Sequence, residues 1–213
     1  MKTKLLALLA IVLLAFLTAC GGGTADDETG QYDSYKSGEF VEIMESGTYY
    51  LNFTDYNMGA EATIKMAVDG DESSVEVVNL PVRMLTLNGN AYYINDQKKK
   101  ILAVEGPVDE STFNPVVFDY SGIKFKTEGN GVISSLSEFD DNVYDYEEFS
   151  VGTGENEVLI RYYLKGDDLY VIQTNMGEVW HTMVINKLTK EIPEGMLIMP
   201  AGYKVVDAMD FYN

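Results

Sequence analysis

From residue 48 onward, apolar and polar residues alternate with a period of two, and the alternation persists through most of the chain. This is the pattern of strands that bury one face. Residues 48–56 (TYYLNFTDY) alternate, as do residues 61–70, which end on Asp69-Gly70, and residues 73–80. Residues 82–96 form a hairpin around Asn88-Gly89, a dipeptide whose two residues both tolerate the positive φ of a tight turn. Residues 98–106 follow, then 112–120 (TFNPVVFDY), where Pro115 restricts the strand to an edge or a loop. Residues 122–139 read as a further hairpin turning at Gly129-Asn130-Gly131. The final third is a meander over residues 144–150, 157–165, 168–175 and 178–187, with turns at GTGEN, GDD and MG. Residues 192–206 form a terminal segment punctuated by Pro and Gly.

The one departure from period two lies before Gly47. Residues 40–45 (FVEIME) fit the last turns of a helix starting near Tyr35 and capped by Ser34 or Ser37. A long antiparallel meander must cover its apolar face, and about ten strands in a row curl or close. The predicted fold is therefore mostly β (α+β): a curved antiparallel sheet, or unclosed half-barrel, covered by that short helix.

Residues 1–19 have a separate pattern. Lys2 and Lys4 precede an apolar run from residue 5 to residue 17, shorter than the ~20 residues a spanning helix needs. The run closes on Leu17-Thr18-Ala19-Cys20. These four residues resemble the lipobox of bacterial lipoprotein signals, in which the cysteine thiol takes a diacylglycerol and becomes the first residue after cleavage. The resemblance makes Cys20 the lipidated residue and residues 1–19 a signal peptide. It implies an extracytoplasmic protein held to a cell membrane of Gram-positive type or to an outer membrane. Gly21 after Cys20 suits either. Two acyl chains hold a protein stably at roughly 0.8 kcal/mol per buried CH₂. Residues 20–37, Gly-rich and acidic, read as a flexible tether, and residues 38–213 as a single β-rich domain.

Charge narrows the partners. The chain has 15 Lys and Arg against 34 Asp and Glu, for a formal net charge of −19. Such a surface repels nucleic acid and anionic headgroups, so attachment falls to the lipid. Cys20 is the only cysteine; once acylated it leaves neither a disulfide nor a thiol nucleophile. His181 is the only histidine, with no nucleophile-elbow motif to serve, which makes a structural role the simpler reading. One histidine and no free cysteine leave no zinc set. The acidic runs at Asp69-Gly70-Asp71-Glu72, residues 138–141, residues 145–148 and Asp167-Asp168 lack calcium-loop spacing and suit turns. No catalytic residue, metal or cofactor is expected. Lys98-Lys99-Lys100 serves either as a headgroup contact or as a charged strand end that blocks edge pairing.

Two further stretches carry a family resemblance. The hairpin Tyr162-Tyr163-Leu164-Lys165-Gly166-Asp167-Asp168-Leu169 is one, and Ile198 before Pro200-Ala201-Gly202-Tyr203 is the other. With the lipobox, tether and helix before them, they are similar to the outer-membrane lipoprotein-sorting carriers (LolA/LolB-like) and their small lipoprotein relatives, over residues 34–207. The resemblance implies an unclosed barrel whose apolar interior holds acyl chains. The abundant Tyr, Phe and Met residues supply candidate lining: Tyr50, Phe53, Met66, Met84, Tyr93, Tyr163, Trp180 and Met183. The expected function is non-enzymatic: a lipid or other apolar ligand bound in the concave face of the sheet. The alternative is a structural or interaction lipoprotein with a packed core, partnered by another envelope protein.

Overall fold

The structure is a computed structural model that describes residues 34–56, 61–104, 123–133, 136, 140–151, 157–176 and 179–212. Helix α1 (Gly38–Glu45) precedes eleven strands: β1 (Thr48–Asp55), β2 (Ala62–Asp69), β3 (Glu72–Val77), β4 (Val82–Leu87), β5 (Asn90–Asn95), β6 (Lys100–Ala103), β7 (Lys124–Val132), β8 (Val143–Val151), β9 (Val158–Lys165), β10 (Asp168–Met176) and β11 (Val179–Thr189). A two-residue strand β12 (Lys204–Val205) and helix α2 (Ala208–Tyr212) end the chain.

Among the described residues, all twelve strands belong to one sheet, ordered β12-β6-β5-β4-β3-β2-β1-β11-β10-β9-β8-β7. Its first and last strands are not paired with each other, so the sheet is unclosed. Two meanders build it. The first runs outward from β1 to β6; the second starts at β7 and returns to the centre, where β11 joins β1 antiparallel. Pairing is antiparallel throughout except for β12, which lies parallel to β6.

Alternation assigns the two faces. On β1, Tyr49, Leu51 and Phe53 pack into the main core with Ile64, Met66 and Val68 of β2. Val41 and Met44 of α1, one turn apart, close this core from above, and α1 lies over β1 and β11. We call this side the helix face and the other the far face. Ser46 and Gly47 end the helix, with Gly47 at φ 67 returning the chain into β1. On the far face, two smaller clusters sit at opposite ends of the sheet. One joins Tyr144, Tyr163 and Val171 to Ile133 and Leu136; the other joins Leu85, Ile94 and Ile101 to Leu197, Met199 and Tyr203.

Several expectations change in detail. The helix begins at Gly38, not near Tyr35; the Lys36 and Ser37 amides just before it donate to a strand (below). The Asn88-Gly89 hairpin forms as the sequence implies, with φ 50 and φ 73. The expected hairpin at Gly129-Asn130-Gly131 does not form. β7 runs straight through it, and Gly129 and Gly131 stand opposite Tyr146 and Tyr144 of β8. A β-carbon on Gly129 would lie 2.8 Å from the Tyr146 hydroxyl, so the tyrosine ring covers the glycine backbone. Helix α2 was not foreseen, since its five residues carry no period. Residues 112–120, including Pro115, lie outside the described residues. Among the described residues no helix is long and apolar enough to cross a membrane.

Candidate functional site

The eight candidate lining residues do not share one face. Paired residues of antiparallel strands point to the same side. Phe53, Met66, Met84, Tyr93 and Met183 lie on the helix face; Tyr50, Tyr163 and Trp180 lie on the far face.

The helix-face set contains a continuous row. Leu51 pairs with Met66, Met66 with Val75, Val75 with Met84, Met84 with Tyr93, and Tyr93 with Leu102. Successive ladder steps thus hold these apolar side chains in line across β1 to β6. Their burial falls along the row. Leu51 and Met66 are buried beneath α1, whereas Val75, Met84, Tyr93 and Leu102 are half-buried. Phe53 and Met183 are packed into the core and leave no free surface. Burial raises the Tyr93 hydroxyl above its usual pKa, and the neighbouring Tyr212 of α2 adds to the shift. The row is therefore a half-covered apolar strip between α1 and the C-terminal helix.

The far-face residues meet a cation instead. Arg161 of β9 donates through Nε to Glu148 Oε2 of β8 at 2.6 Å. Its guanidinium lies 4.3 Å from the Trp180 ring and 5.0 Å from the Tyr146 ring. Tyr146 in turn lies 5.2 Å from Tyr163. Cation–π contacts of this kind contribute ~0.5–2 kcal/mol each. Burial pushes the Tyr163 hydroxyl up, against the pull of Arg161. Trp180 and Tyr163 here brace a partly buried ion pair. Tyr50, buried on the same face, stands between Ala67 and Thr189, away from that cluster.

His181 is half-buried and points to the face opposite Trp180, paired with Thr174. The lysine cluster does not leave a bare strand end, and two of its side chains meet the C-terminal helix. Lys98 Nζ donates to the Tyr212 carbonyl at 2.9 Å, and Lys100 Nζ to the Asp210 carbonyl. Both satisfy carbonyls at the C-terminal end of α2, where cations are favoured. Lys99 occupies the turn at φ 53, and the β6 edge is paired by β12.

Acidic side chains serve as acceptors. Glu147, buried in β8, receives the Lys36 N–H at 2.9 Å, the Ser37 N–H at 2.8 Å and the Ser37 hydroxyl at 2.6 Å. Asp140 receives the Tyr144 hydroxyl at 2.7 Å and the Tyr170 hydroxyl at 3.1 Å. The Tyr144 bond, helped by the Asn142 amides and Tyr170, lowers Asp140 from 3.8 to about 2. Sequence reading takes Glu147 and Asp140 as parts of acidic turns and passes over Arg161; Glu147 instead lies within β8, and the partners of all three lie elsewhere in the sequence. Only the lone charge in an apolar strand, as at Arg161, hinted at a partner.

No family model matches the chain, and no curated protein matches it. Among solved structures, it is similar to the crystal structure of an uncharacterized conserved protein from Thermus thermophilus. The identity is 10%, the match covers 81% of this chain and 99% of that one, and the TM-score is 0.44.

Proposed function

We propose that this is an extracytoplasmic lipoprotein, held to the membrane through Cys20, that binds a lipid or other apolar ligand on the helix face of its sheet and catalyses no reaction. The half-buried row Val75–Met84–Tyr93–Leu102 carries this reading. Large apolar side chains aligned on one rigid face suit an acyl chain laid across the strands. The motif resemblance to the lipoprotein-sorting carriers supports the same ligand class. The ligand strip comprises Met84 and Tyr93; Met66 continues its row into the core, and Phe53 and Met183 are packed away from it.

Mass spectrometry of the full chain isolated from membranes tests both parts. A diacylglyceryl mass on Cys20 reports the anchor. Extra mass that survives native conditions and leaves on denaturation reports a bound lipid. The expected outcome is both masses, with the second lost in Met84→Lys. A chain that repeatedly carries only the covalent mass rejects the ligand. That result favours the second reading, an interaction lipoprotein partnered by an envelope protein, for which the close packing of Phe53, Met66 and Met183 already speaks.

A further inference from the structure

We infer that the β7–β8 edge of the sheet is the membrane-facing side of the protein and rests its exposed apolar residues on the bilayer surface. This inference rests on the anchoring of Cys20 proposed above. It starts from where the chain enters the fold. The Lys36 and Ser37 amides are fixed on Glu147 of β8, and the Tyr35 ring stacks on Phe125 of β7 at 4.6 Å. The segment leading back to Cys20 therefore meets the sheet at this edge. The opposite edge lies across the twelve-stranded sheet, roughly 50 Å away at ~4.8 Å per strand. The point of attachment therefore favours β7–β8 as the edge that meets the bilayer.

The side chains at this edge suit an interface. Val132 and Val143 are a cross-strand pair, 42% and 62% exposed, and Phe125 is 37% exposed beside Lys124 and Lys126. A pair of valines standing in water is costly surface, and burying it in the headgroup boundary is favourable at roughly 25 cal/mol per Å². The acids Glu128 and Asp145 share the edge, and Lys126 is paired with Glu157 at 2.6 Å, so the contact is driven by apolar burial and not by charge. The other exposed apolar residues, Ile198, Val205, Met209 and Tyr212, belong to the C-terminal segment at or near the far edge and serve as an internal control.

Site-directed spin labelling of the lipidated full chain on phosphatidylcholine vesicles tests the inference. Val143→Cys and Val205→Cys place a nitroxide at either edge, at comparable exposure; acylated Cys20 does not react. The expected result is a several-fold drop in collisions with an aqueous nickel chelate at position 143 relative to position 205, appearing only when vesicles are present. Equal collision rates at both positions in a chain whose Cys20 mass shows the lipid overturn the edge contact alone. Shielding of position 143 without vesicles identifies a second copy as its cover and also overturns it. A chain with unmodified Cys20 overturns the anchor and the inference together, and the mass spectrum distinguishes that failure from the others.

Discussion

Glu147 shows how a single side chain can tie the start of an element to a strand distant in sequence. Its carboxylate takes three hydrogen bonds from Lys36 and Ser37, more than 100 residues away, and puts a negative charge at the positive end of α1. Ser37 occupies the N-cap without capping its own helix, since its hydroxyl is donated to Glu147. Glu147→Ala leaves the buried Ser37 amide and hydroxyl and the part-buried Lys36 amide unpaired and is expected to cost about 2–4 kcal/mol in urea unfolding, whereas Ser37→Ala costs about 1 kcal/mol. Asp140 is the pH-sensitive counterpart. Its folded pKa, about 2, lies below the unfolded 3.8. The ionised form is thus favoured by folding; its contribution is complete above the unfolded value and fades as pH falls from about 4 towards 2. Asp140→Asn is expected to flatten that part of a stability–pH curve measured by thermal melts, leaving the neutral-pH slope unchanged. Tyr170, whose hydroxyl burial and the Asp140 bond push up to about 12, supplies a spectroscopic check: its phenolate absorbance appears at lower pH in the variant.

At the scale of elements, the strands and tight turns could be read from the sequence and the faces could not. The Asn88-Gly89 turn was legible because both residues take positive φ with little cost. Gly89→Ala is expected to cost ~1–2 kcal/mol by the left-handed penalty and to leave the spectrum of the fold unchanged. The misread turn at Gly129-Asn130-Gly131 shares the same residue types, but there glycine answers a different need. Tyr146 lies across Gly129, and no local pattern announces a ring contributed by the neighbouring strand. Gly129→Ala should therefore displace Tyr146 from beneath Arg161, and near-ultraviolet circular dichroism of Tyr146 and Trp180 would report it. Assignment of faces failed for a related reason. The register shifts between Asn52 and Phe53, between Phe125 and Thr127 and between Leu169 and Val171 each invert the alternation beyond them. A one-residue bulge leaves no mark in composition. It is enough to separate Trp180 and Tyr163 from Met84 and Tyr93, though all four sit in strands of similar pattern.

For the whole molecule, charge and connectivity dominate. A formal charge of −19 makes the folded state repel itself, and few cations are available to offset it. Melting temperature is expected to rise between ~10 mM and ~150 mM NaCl, as the Debye length shortens from ~30 Å to ~8 Å. A flat response would mean that the acids are spaced too far apart to matter. Among the described residues, the sheet joins two meanders, β1 to β6 and β7 to β11, through the seam between β1 and β11. Within each meander, neighbours in space are neighbours in sequence, so their hairpins close short loops and form early. Residues on the two sides of the seam, such as Tyr50 and Thr189, lie more than 130 positions apart, and their meeting carries a large loop-closure entropy. The seam also lies under α1, so the main core is completed only when β11 arrives. Refolding should thus show hairpin formation ahead of a slower step that buries the helix. Until that step, each half presents a bare strand to solvent, and at high concentration one molecule's β11 can zip onto another's β1, exchanging halves between copies.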